Sequence, residues 1–253
     1  MGFTFAGVHS DQYGIKVLNI TRPLSPRLQA QTVKRPGRAG VADMGVEVEE
    51  LQISIDILLI GESLHEIRQR VRQIGAWLRN GEEKGTLVID DEPDKMMTVR
   101  WVELAELEEV ALTGRATLTF LAPDPLAYAV EDDAFTSAGE EIRFQRKGTA
   151  PSRPLIELGG EASGAESGFV VKLNDQSLTY TGSLASTEQL VLDSEYKTAY
   201  LRREDGSRES ALNGLESLVF PLTRPGEENV LTVTPVGTAT VNRLHIQCRS
   251  CWY

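Results

Sequence analysis

Residues 116–128 read ATLTFLAPDPLAY, an alternating strand that two prolines bring to an end. Apolar and polar residues alternate from Ala116 to Phe120, which is the period of a half-buried strand. Because proline cannot donate a hydrogen bond to a neighbouring strand, the two prolines that follow interrupt any sheet pairing. The pattern therefore predicts a sharp exit from a sheet, about halfway along the chain, at the corner Asp124–Tyr128.

The part of the chain before this corner is predicted to be a β-rich domain with one helix. Its clearest strand runs from Val46 to Leu58, where apolar residues from Leu51 onward occupy every second position. Ser63 and Glu66 form a capping box, apolar residues follow at helical spacing, and Gly81 is the predicted C-terminal cap. Further strands are predicted at 13–21, 28–34, 86–89, 97–102 and 111–121, with a charged hairpin end at 103–109.

A basic turn separates strand 28–34 from the strand that begins at Val46. It reads Arg35-Pro36-Gly37-Arg38-Ala39-Gly40, and its proline and glycines supply the backbone angles that a tight turn needs. Two strands joined by a short, polar, basic tip suit an arm that reaches another molecule. They equally suit an ordinary exposed hairpin, and the residues alone leave both interpretations open.

After the corner, turn signals separate short predicted strands at regular spacing, which favours a β-sandwich. These strands are predicted at 142–146, 153–158, 169–173, 177–181, 189–192, 198–203, 218–222, 229–234 and 240–249. Residues 130–152 read as a linker and entry strand. The chain is accordingly divided into an N-terminal domain, residues 1–132, and a C-terminal sandwich, residues 133–253. The predicted fold class is mainly β, with an α+β first domain.

The composition argues against nucleic-acid binding and membrane insertion. The formal net charge is −11, and residues 1–132 hold 14 Lys+Arg against 21 Asp+Glu. A surface that binds the phosphates of a nucleic acid would need a net positive charge. The longest apolar run, near Ile57–Ile60, is far too short to span a bilayer. The first residues lack the features of a signal peptide, so we expect synthesis in a reducing cytoplasm without export by that route.

Three groups of residues invite a chemical interpretation, and for each a structural one is favoured. Cys248 and Cys251 form C-x-x-C, but a zinc site would need two more ligands, so we predict one buried and one terminal thiol. The run Asp90–Asp94 could attract calcium, yet its spacing is wrong for an EF-hand, and a solvated turn is expected. Trp77 and Trp101 fall in register with the predicted core. No catalytic, cofactor-binding or metal-binding residue is predicted, and no hydrolase, protease or nucleotide motif occurs.

Several motifs, taken in order, resemble the distal tail protein family of bacteriophages with long non-contractile tails. They are the Pro-Gly-Arg-x-Gly turn at 36–40, the strand to Leu58, the helix with Arg68, Arg70, Arg72 and Arg79, the acidic corner at 90–93, and the corner at 124–128. Each motif is weak alone, but their order over roughly 100 residues is fairly specific. Lys95 departs from the arginine that the family often has there. The second half resembles the family only as a β-sandwich of suitable size.

The resemblance implies a structural hub in the virion tail tip, made in the host bacterial cytoplasm. N-terminal domains of this family form a homohexameric ring, single or paired back to back, around a channel through which DNA passes without specific binding. The implied partners are the tail tube protein above, the tail-associated fibre or lysin protein below and, in some members, receptor-binding proteins at the sides. Arg35, Pro36, Gly37 and Arg38 would then form an arm that reaches the neighbouring subunit. No cofactor is implied.

Two rival functions remain at this point. The family's C-terminal domain resembles galectins and carbohydrate-binding modules, so the chain could attach to host cell-wall glycans, with Trp252, Tyr180, Tyr196 and Tyr200 as candidate platforms. Alternatively, it could be a tail-tube or another tail-ring protein. Because tube subunits are usually single domains, the extra sandwich argues against that second alternative.

Overall fold

The computed structural model describes residues 1–79, 84–104, 108–110, 112–164 and 166–253. The chain divides into two compact units, Met1–Val130 with Tyr253, and Glu131–Trp252. The predicted mainly β class is confirmed, and the only α-helix in the described ranges lies in the first unit. No helix in the described part of the chain is long and apolar enough to cross a membrane.

Most strands of the first unit form one antiparallel sheet, and two form a separate hairpin. The elements are β1 Phe3–Phe5, β2 Val8–His9, β3 Ile15–Thr21, β4 Leu28–Lys34, β5 Val41–Val48, β6 Leu51–Ile60, α1 Leu64–Arg79, β7 Gly85–Ile89, β8 Lys95–Leu104, β9 Glu108–Val110, β10 Thr113–Ala122 and β11 Ala127–Ala129. The sheet order is β2-β1-β7-β8-β10-β6-β3, with β9 beside β10 and β11 beside β8. β4 and β5 pair with each other and make up the hairpin.

The core of the first unit lies between the sheet and α1. The apolar positions of β6 are buried in strict alternation, as the sequence predicts. Trp77 on α1 stacks on Phe3 and Tyr13, with ring centroids 5.8 Å and 4.7 Å away. Its indole Nε1 donates a hydrogen bond to the carbonyl oxygen of Phe5 at 3.1 Å. The N-terminal strands β1 and β2, which the sequence analysis missed, thus complete the core around this tryptophan.

The predicted helix start is confirmed. The amide of Glu66 donates to Ser63 Oγ at 3.3 Å, and Glu66 Oε2 accepts from the amide of Glu62 at 2.8 Å. The first bond satisfies a first-turn amide that the helix itself cannot satisfy, and the second fixes the residue that precedes the N-cap. Gly81, the predicted C-terminal cap, lies outside the described residues, as does most of the loop of the predicted charged hairpin.

The prediction of one continuous strand from Val46 to Leu58 is wrong. The chain breaks at Glu49 and Glu50, so that β5 belongs to the hairpin and β6 to the main sheet. Two consecutive glutamates interrupt the alternation, because one of them would otherwise have to face the core. The amide of Glu49 instead donates to the carbonyl oxygen of Arg27 at 2.9 Å.

The second unit is the predicted β-sandwich. Its strands are β12 Ala134–Ser137, β13 Glu141–Phe144, β14 Leu155–Glu161, β15 Gly168–Leu173, β16 Gln176–Tyr180, β17 Gln189–Asp193, β18 Thr198–Arg202, β19 Arg208–Ser210, β20 Asn229–Val236, β21 Thr240–Gln247 and β22 Cys251–Trp252. One sheet has the order β12-β21-β14-β17-β18-β19 and the other β13-β20-β15-β16. Buried residues of both sheets form a single core, among them Ile156, Phe169, Leu192 and Leu231.

The strand predicted at 218–222 does not form. This segment runs irregularly beside β16, where the amide of Leu222 donates to Gln176 Oε1 at 2.8 Å. Pro221 removes one backbone donor, which disfavours regular pairing. Phe220 is buried, whereas Leu218 and Val219 are exposed.

An ion pair ties the C-terminal segment to the sandwich. Arg249 donates to both carboxylate oxygens of Asp193, at 2.8 and 3.0 Å, in bidentate geometry. Burial by itself would raise the pKa of Asp193. Hydrogen bonds from Arg249 and from the amides of Tyr196 and Glu195 outweigh that effect and hold the pKa below its ordinary value.

The two cysteines lie in the same segment, and both are buried. The sequence predicts one buried and one terminal thiol; Cys251 lies near the C-terminus and is also buried, and Arg249, two residues before it, has a φ of 47°. Cys251 Sγ lies 3.4 Å from the carbonyl oxygen of Pro151. Burial raises the pKa of Cys248 to about 12, although the nearby guanidinium of Arg146 opposes the shift.

We predict that Asp193→Asn lowers the free energy of unfolding by about 1–2 kcal/mol near neutral pH, since a hydrogen-bonded carboxylate is lost. A depressed folded-state pKa contributes stability that is present above the unfolded pKa of about 3.9 and is lost as the pH falls through the folded value. The deficit should therefore shrink in strong acid. Urea unfolding at neutral and acidic pH measures it.

The control is Asp175→Asn, since Asp175 pairs with Arg224 on the surface and is 73% exposed. That change should cost less than about 1 kcal/mol. An Asp193→Asn deficit that stays the same at neutral and strongly acidic pH would contradict the account.

We also predict that Cys248 does not react with a water-soluble disulfide reagent in the folded protein. With a pKa of about 12, its thiolate population near pH 8 is roughly 10³-fold smaller than that of an ordinary thiol. Both cysteines should react after denaturation. An added thiol at half-exposed Leu18, in Leu18→Cys, is the control and should react at once; equally fast reaction of Cys248 would refute the assignment.

Candidate assembly interface

The hairpin of β4 and β5, which we call the arm, extends from the first unit without covering by other described residues. No residue of its two strands, all of them described, is buried. Within the described ranges, the arm strands pair only with each other. An isolated two-stranded hairpin is marginally stable in water. The arm therefore lacks, within its own chain, the packing that normally holds such a hairpin in one conformation.

The half of the arm nearest the main sheet has an apolar face and a polar face. Leu28 lies opposite Val48, and Ala30 lies opposite Val46, so these four side chains share one side of the ribbon. Leu28 is 63% exposed, Val46 57% and Val48 56%. We call these four residues the apolar face.

The opposite side of the same half is polar. Gln29 lies opposite Glu47, and Gln31 Nε2 donates to Glu47 Oε2 at 2.8 Å. Further out, the register of β5 shifts near Gly45, whose φ is 112°. Such a bulge re-aims the side chains beyond it. The two-sidedness is typical of a strand pair that packs on a surface with one face and meets water with the other.

The arm tip contains the four predicted interface residues, Arg35, Pro36, Gly37 and Arg38. They form a turn in which the amide of Arg38 donates to the carbonyl oxygen of Arg35 at 3.3 Å. Gly37 adopts a φ of 77°, which explains why glycine suits that position. The structure brings the four together, exposed, at the end of the arm. Their contact with another subunit stays a prediction.

The arm root consists of residues 22–27 and 49–50, which join the arm to β3 and β6. An ion pair anchors it to the acidic corner between β7 and β8. Arg22, directly after β3, pairs with Asp91 and, at 2.9 Å, with Glu92; Lys95 Nζ also reaches Glu92 at 2.6 Å. In the sheet order, β3 lies at the edge, four strands away from β7. The ion pair therefore requires the sheet to curl so that these strands approach each other.

The predicted solvated turn at Asp90–Asp94 is thus an ion-paired corner. Its carboxylates are directed at Arg22, Lys95 and His9, and Asp90 Oδ1 lies 3.1 Å from His9 Nε2. The described residues contain no group of three or more histidine, cysteine or acidic side chains placed to hold a metal ion.

An open groove of about 510 Å³ runs along the arm root. We call it the root groove. Its lining combines prolines and leucines with the carboxylates of Glu49 and Glu50 and the guanidinium of Arg27. The lining residues are Pro23, Ser25, Pro26, Arg27, Leu28, Glu49, Glu50, Leu51, Gln52 and Leu121.

The three tyrosines that are candidate saccharide platforms each contact other groups of the protein. Tyr180 is buried in the sandwich, and its hydroxyl donates to the carbonyl oxygen of Ser183 at 2.9 Å. Arginines cover the other two rings: Arg208 lies 4.8 Å from the centroid of Tyr200, and Arg249 lies 5.8 Å from that of Tyr196. Trp252 is half-buried in β22. Of these four rings, Tyr180 is buried, whereas Tyr196 remains 76% exposed.

Sequence reasoning located the arm tip but missed the apolar face. The usable signal was the alternation of Leu28 and Ala30 with two glutamines, and of Val46 and Val48 with Glu47. Such alternation normally indicates a strand half-buried in its own domain. Here the alternating apolar side chains lie on an exposed face of the arm, which the sequence of one chain does not distinguish from a buried face.

The corner Asp124–Tyr128 is built from side-chain hydrogen bonds. Tyr128 Oη donates to Asp124 Oδ2 at 2.6 Å, and the amide of Leu126 donates to Asp124 Oδ1 at 3.1 Å. The aspartate thus holds both ends of the turn, while the two prolines prevent β10 from continuing. The motif has a structural role in ending β10, after which the chain rejoins the main sheet as β11, where Tyr128 pairs with Met96 of β8.

Comparisons with known proteins agree with this architecture. Residues 9–122 match the family model described as the phage tail protein RIFT-related domain. No curated protein matches the chain. Among solved structures, the chain is similar to the Dit protein (gp 19.1) of phage SPP1, with 14% identity, 98% of each chain covered and a TM-score of 0.77.

Two structures of the phage p2 baseplate in its activated conformation, with calcium and with strontium, give weaker likenesses. Each is 9% identical; they cover 93% and 92% of this chain and 91% and 89% of theirs, with TM-scores of 0.47 and 0.46. The likeness to the SPP1 protein establishes the fold. The family model matches less than half of the chain. Residues 9–122 are therefore similar to the phage tail protein RIFT-related domain, and the chain as a whole has the fold of the SPP1 Dit protein.

Proposed function

We propose that this chain is the structural hub of a phage tail tip. In this role it forms a homohexameric ring with a central channel for DNA, joined to the tail tube protein above and to the tail-associated fibre or lysin protein below. The observation that carries the proposal is the exposed apolar face of the arm, in a domain of a phage-tail family. The SPP1 protein with the same fold is described as a paradigm of the hub adsorption apparatus of phages that infect Gram-positive bacteria.

The apolar face supports assembly on energetic grounds. Completely burying a leucine or valine side chain contributes about 1.5–3 kcal/mol. Leu28, Val46 and Val48 each retain more than half of their exposure, so covering them yields roughly 1 kcal/mol or more apiece. A contact of this kind, repeated at every subunit boundary of a ring, makes a large favourable contribution to the free energy of assembly.

The shape of the arm supports a ring in particular. An arm on one side of a subunit that packs on a different surface of the next subunit makes a head-to-tail contact. Such contacts close into a ring when the rotation between subunits divides a full turn. Arg35, Pro36, Gly37 and Arg38, at the arm tip, are then the residues that reach farthest onto the neighbour.

The charge of the chain supports passage of DNA without binding. The formal net charge is −11, and both halves are acidic. Phosphates are attracted by lysine and arginine and are repelled by carboxylates. A ring of six such chains would let DNA slide through its channel.

The proposed role is scaffolding and needs no catalysis. It places the protein in the virion tail tip, after synthesis in the host bacterial cytoplasm, and makes host attachment a property of the assembled tip. Receptor-binding proteins at the sides of the ring belong to the same proposal. It also assigns residues 1–132 to the ring and residues 133–253 to the outer sandwich.

We predict that wild-type protein has the mass of six copies, or of two stacked six-copy rings, and that Leu28→Asp/Val48→Asp reduces this to the mass of one. Two buried carboxylates in the contact would each cost more than the apolar contact contributes. The measurement is light scattering after size exclusion, with negative-stain images of the same sample.

The control is Gln29→Asp, which adds one carboxylate to the polar face of the same strand and should leave the rings intact. Near-UV circular dichroism checks that every variant keeps its folded core. Rings that persist in the Leu28→Asp/Val48→Asp variant, or a wild-type protein that remains monomeric at high concentration, would overturn the proposal.

A further inference from the structure

The two ends of the arm carry opposite charges. The tip bears Lys34, Arg35 and Arg38, and the root groove bears Glu49 and Glu50. We propose that the arm tip of one copy inserts into the root groove of the next copy. This inference rests on the proposed ring and adds the acceptor site for the tip.

The tip has cations available for a partner. Among the described residues, no carboxylate forms an ion pair with Lys34, Arg35 or Arg38, and all three are exposed. Val33 and Val41, next to the turn, are 52% and 55% exposed. The tip thus presents cations beside a small apolar surface, which suits an acidic acceptor that also contains apolar side chains.

The root groove has this complementary character. Glu49 and Glu50 lie in its lining, together with Leu51, Leu121 and two prolines. Glu50 is exposed, whereas Glu49 lies 3.9 Å from the guanidinium of Arg27, at the limit of an ion pair. Because one cation faces two carboxylates, the root groove keeps a net negative charge, and a volume of about 510 Å³ can hold several side chains.

The arm of the same copy cannot supply the occupant. The tip and the root groove lie at opposite ends of a paired ribbon in which β4 has seven residues. Since a strand rises about 3.3 Å per residue, they are separated by about 23 Å. A hydrogen-bonded ribbon of this length does not fold back onto its own base. The tip that fills a root groove must therefore come from a second copy.

This pairing gives the assembly a direction. Each copy uses its tip on one neighbour and its root groove on the other, which is a head-to-tail contact. Every arm root is then braced by the tip of the preceding copy. The contact also explains why the break at Glu49 and Glu50 is useful, since it places two carboxylates at the base of the arm.

A nucleic acid is the other obvious partner for a basic turn. The observations favour a protein groove, since exposed valines flank the arginines and the chain is acidic overall. The test below includes duplex DNA so that this alternative is decided by measurement.

Two charge-reversal variants test the pairing. Arg35→Glu/Arg38→Glu makes the tip acidic, and Glu49→Lys/Glu50→Lys makes the root groove basic. Each variant alone brings like charges together and should raise the dissociation constant of the ring at least tenfold. An equimolar mixture restores opposite charges at every boundary of an alternating ring and should recover rings. Mass and negative-stain images, at low and moderate salt, give the readout.

The matched control is Lys172→Glu/Glu161→Lys, a pair of charge reversals on the exposed surface of the sandwich, which should form rings as the wild type does. If wild-type rings form and both tip and groove variants also form them unaided, the tip–groove pairing is wrong while the ring stands. Failure of the mixture to recover rings also refutes the pairing. Wild-type binding to duplex DNA that Arg35→Glu/Arg38→Glu abolishes would assign the tip to nucleic acid instead. A monomeric wild type would refute the proposed function itself.

Discussion

The structure depends on one constraint: the apolar face of the arm must be removed from water, and its own chain does not remove it. Leu28, Val46 and Val48 stay more than half exposed on a ribbon that pairs only with itself within the described residues. A two-stranded ribbon gains little from its own hydrogen bonds, because water offers the same bonds to its backbone. A surface that packs against this face would stabilise the arm. In the proposed ring, that surface belongs to a second copy of the same chain.

The rest of the first unit holds the arm root in place. The main sheet and α1 pack around Trp77, and the curl of the sheet brings Arg22 to the acidic corner at Asp91 and Glu92. That ion pair fixes the chain where it leaves β3 for the arm, and the break at Glu49 fixes it where the chain returns. The packing thus places the arm in a defined direction, which a repeated subunit contact requires. The sandwich has a core of its own and closes its C-terminal segment with the pair of Asp193 and Arg249.

Much of this architecture could be predicted from the sequence, and the failures have physical causes. The alternation of β6, the capping box of α1 and the corner at Asp124 are local signals, and each was confirmed. β1 and β2 are too short to show a period, and the two phenylalanines of β1 become meaningful only around Trp77 in the folded core. The split between β5 and β6 depends on which sheet each half joins, a tertiary choice that one long alternating run conceals. The arm tip could be located from its turn residues, whereas its apolar face and the root groove depend on the register of two strands and on chain segments brought together by folding.

Cryo-electron microscopy of the purified wild-type protein tests the central claim most directly, because it shows both the symmetry and the surroundings of the arm. The account predicts six-fold rings in which residues 28–48 of each copy lie on the neighbouring copy, with the apolar face covered. Rings whose arms project into solvent, or particles that remain single copies at high concentration, would contradict it.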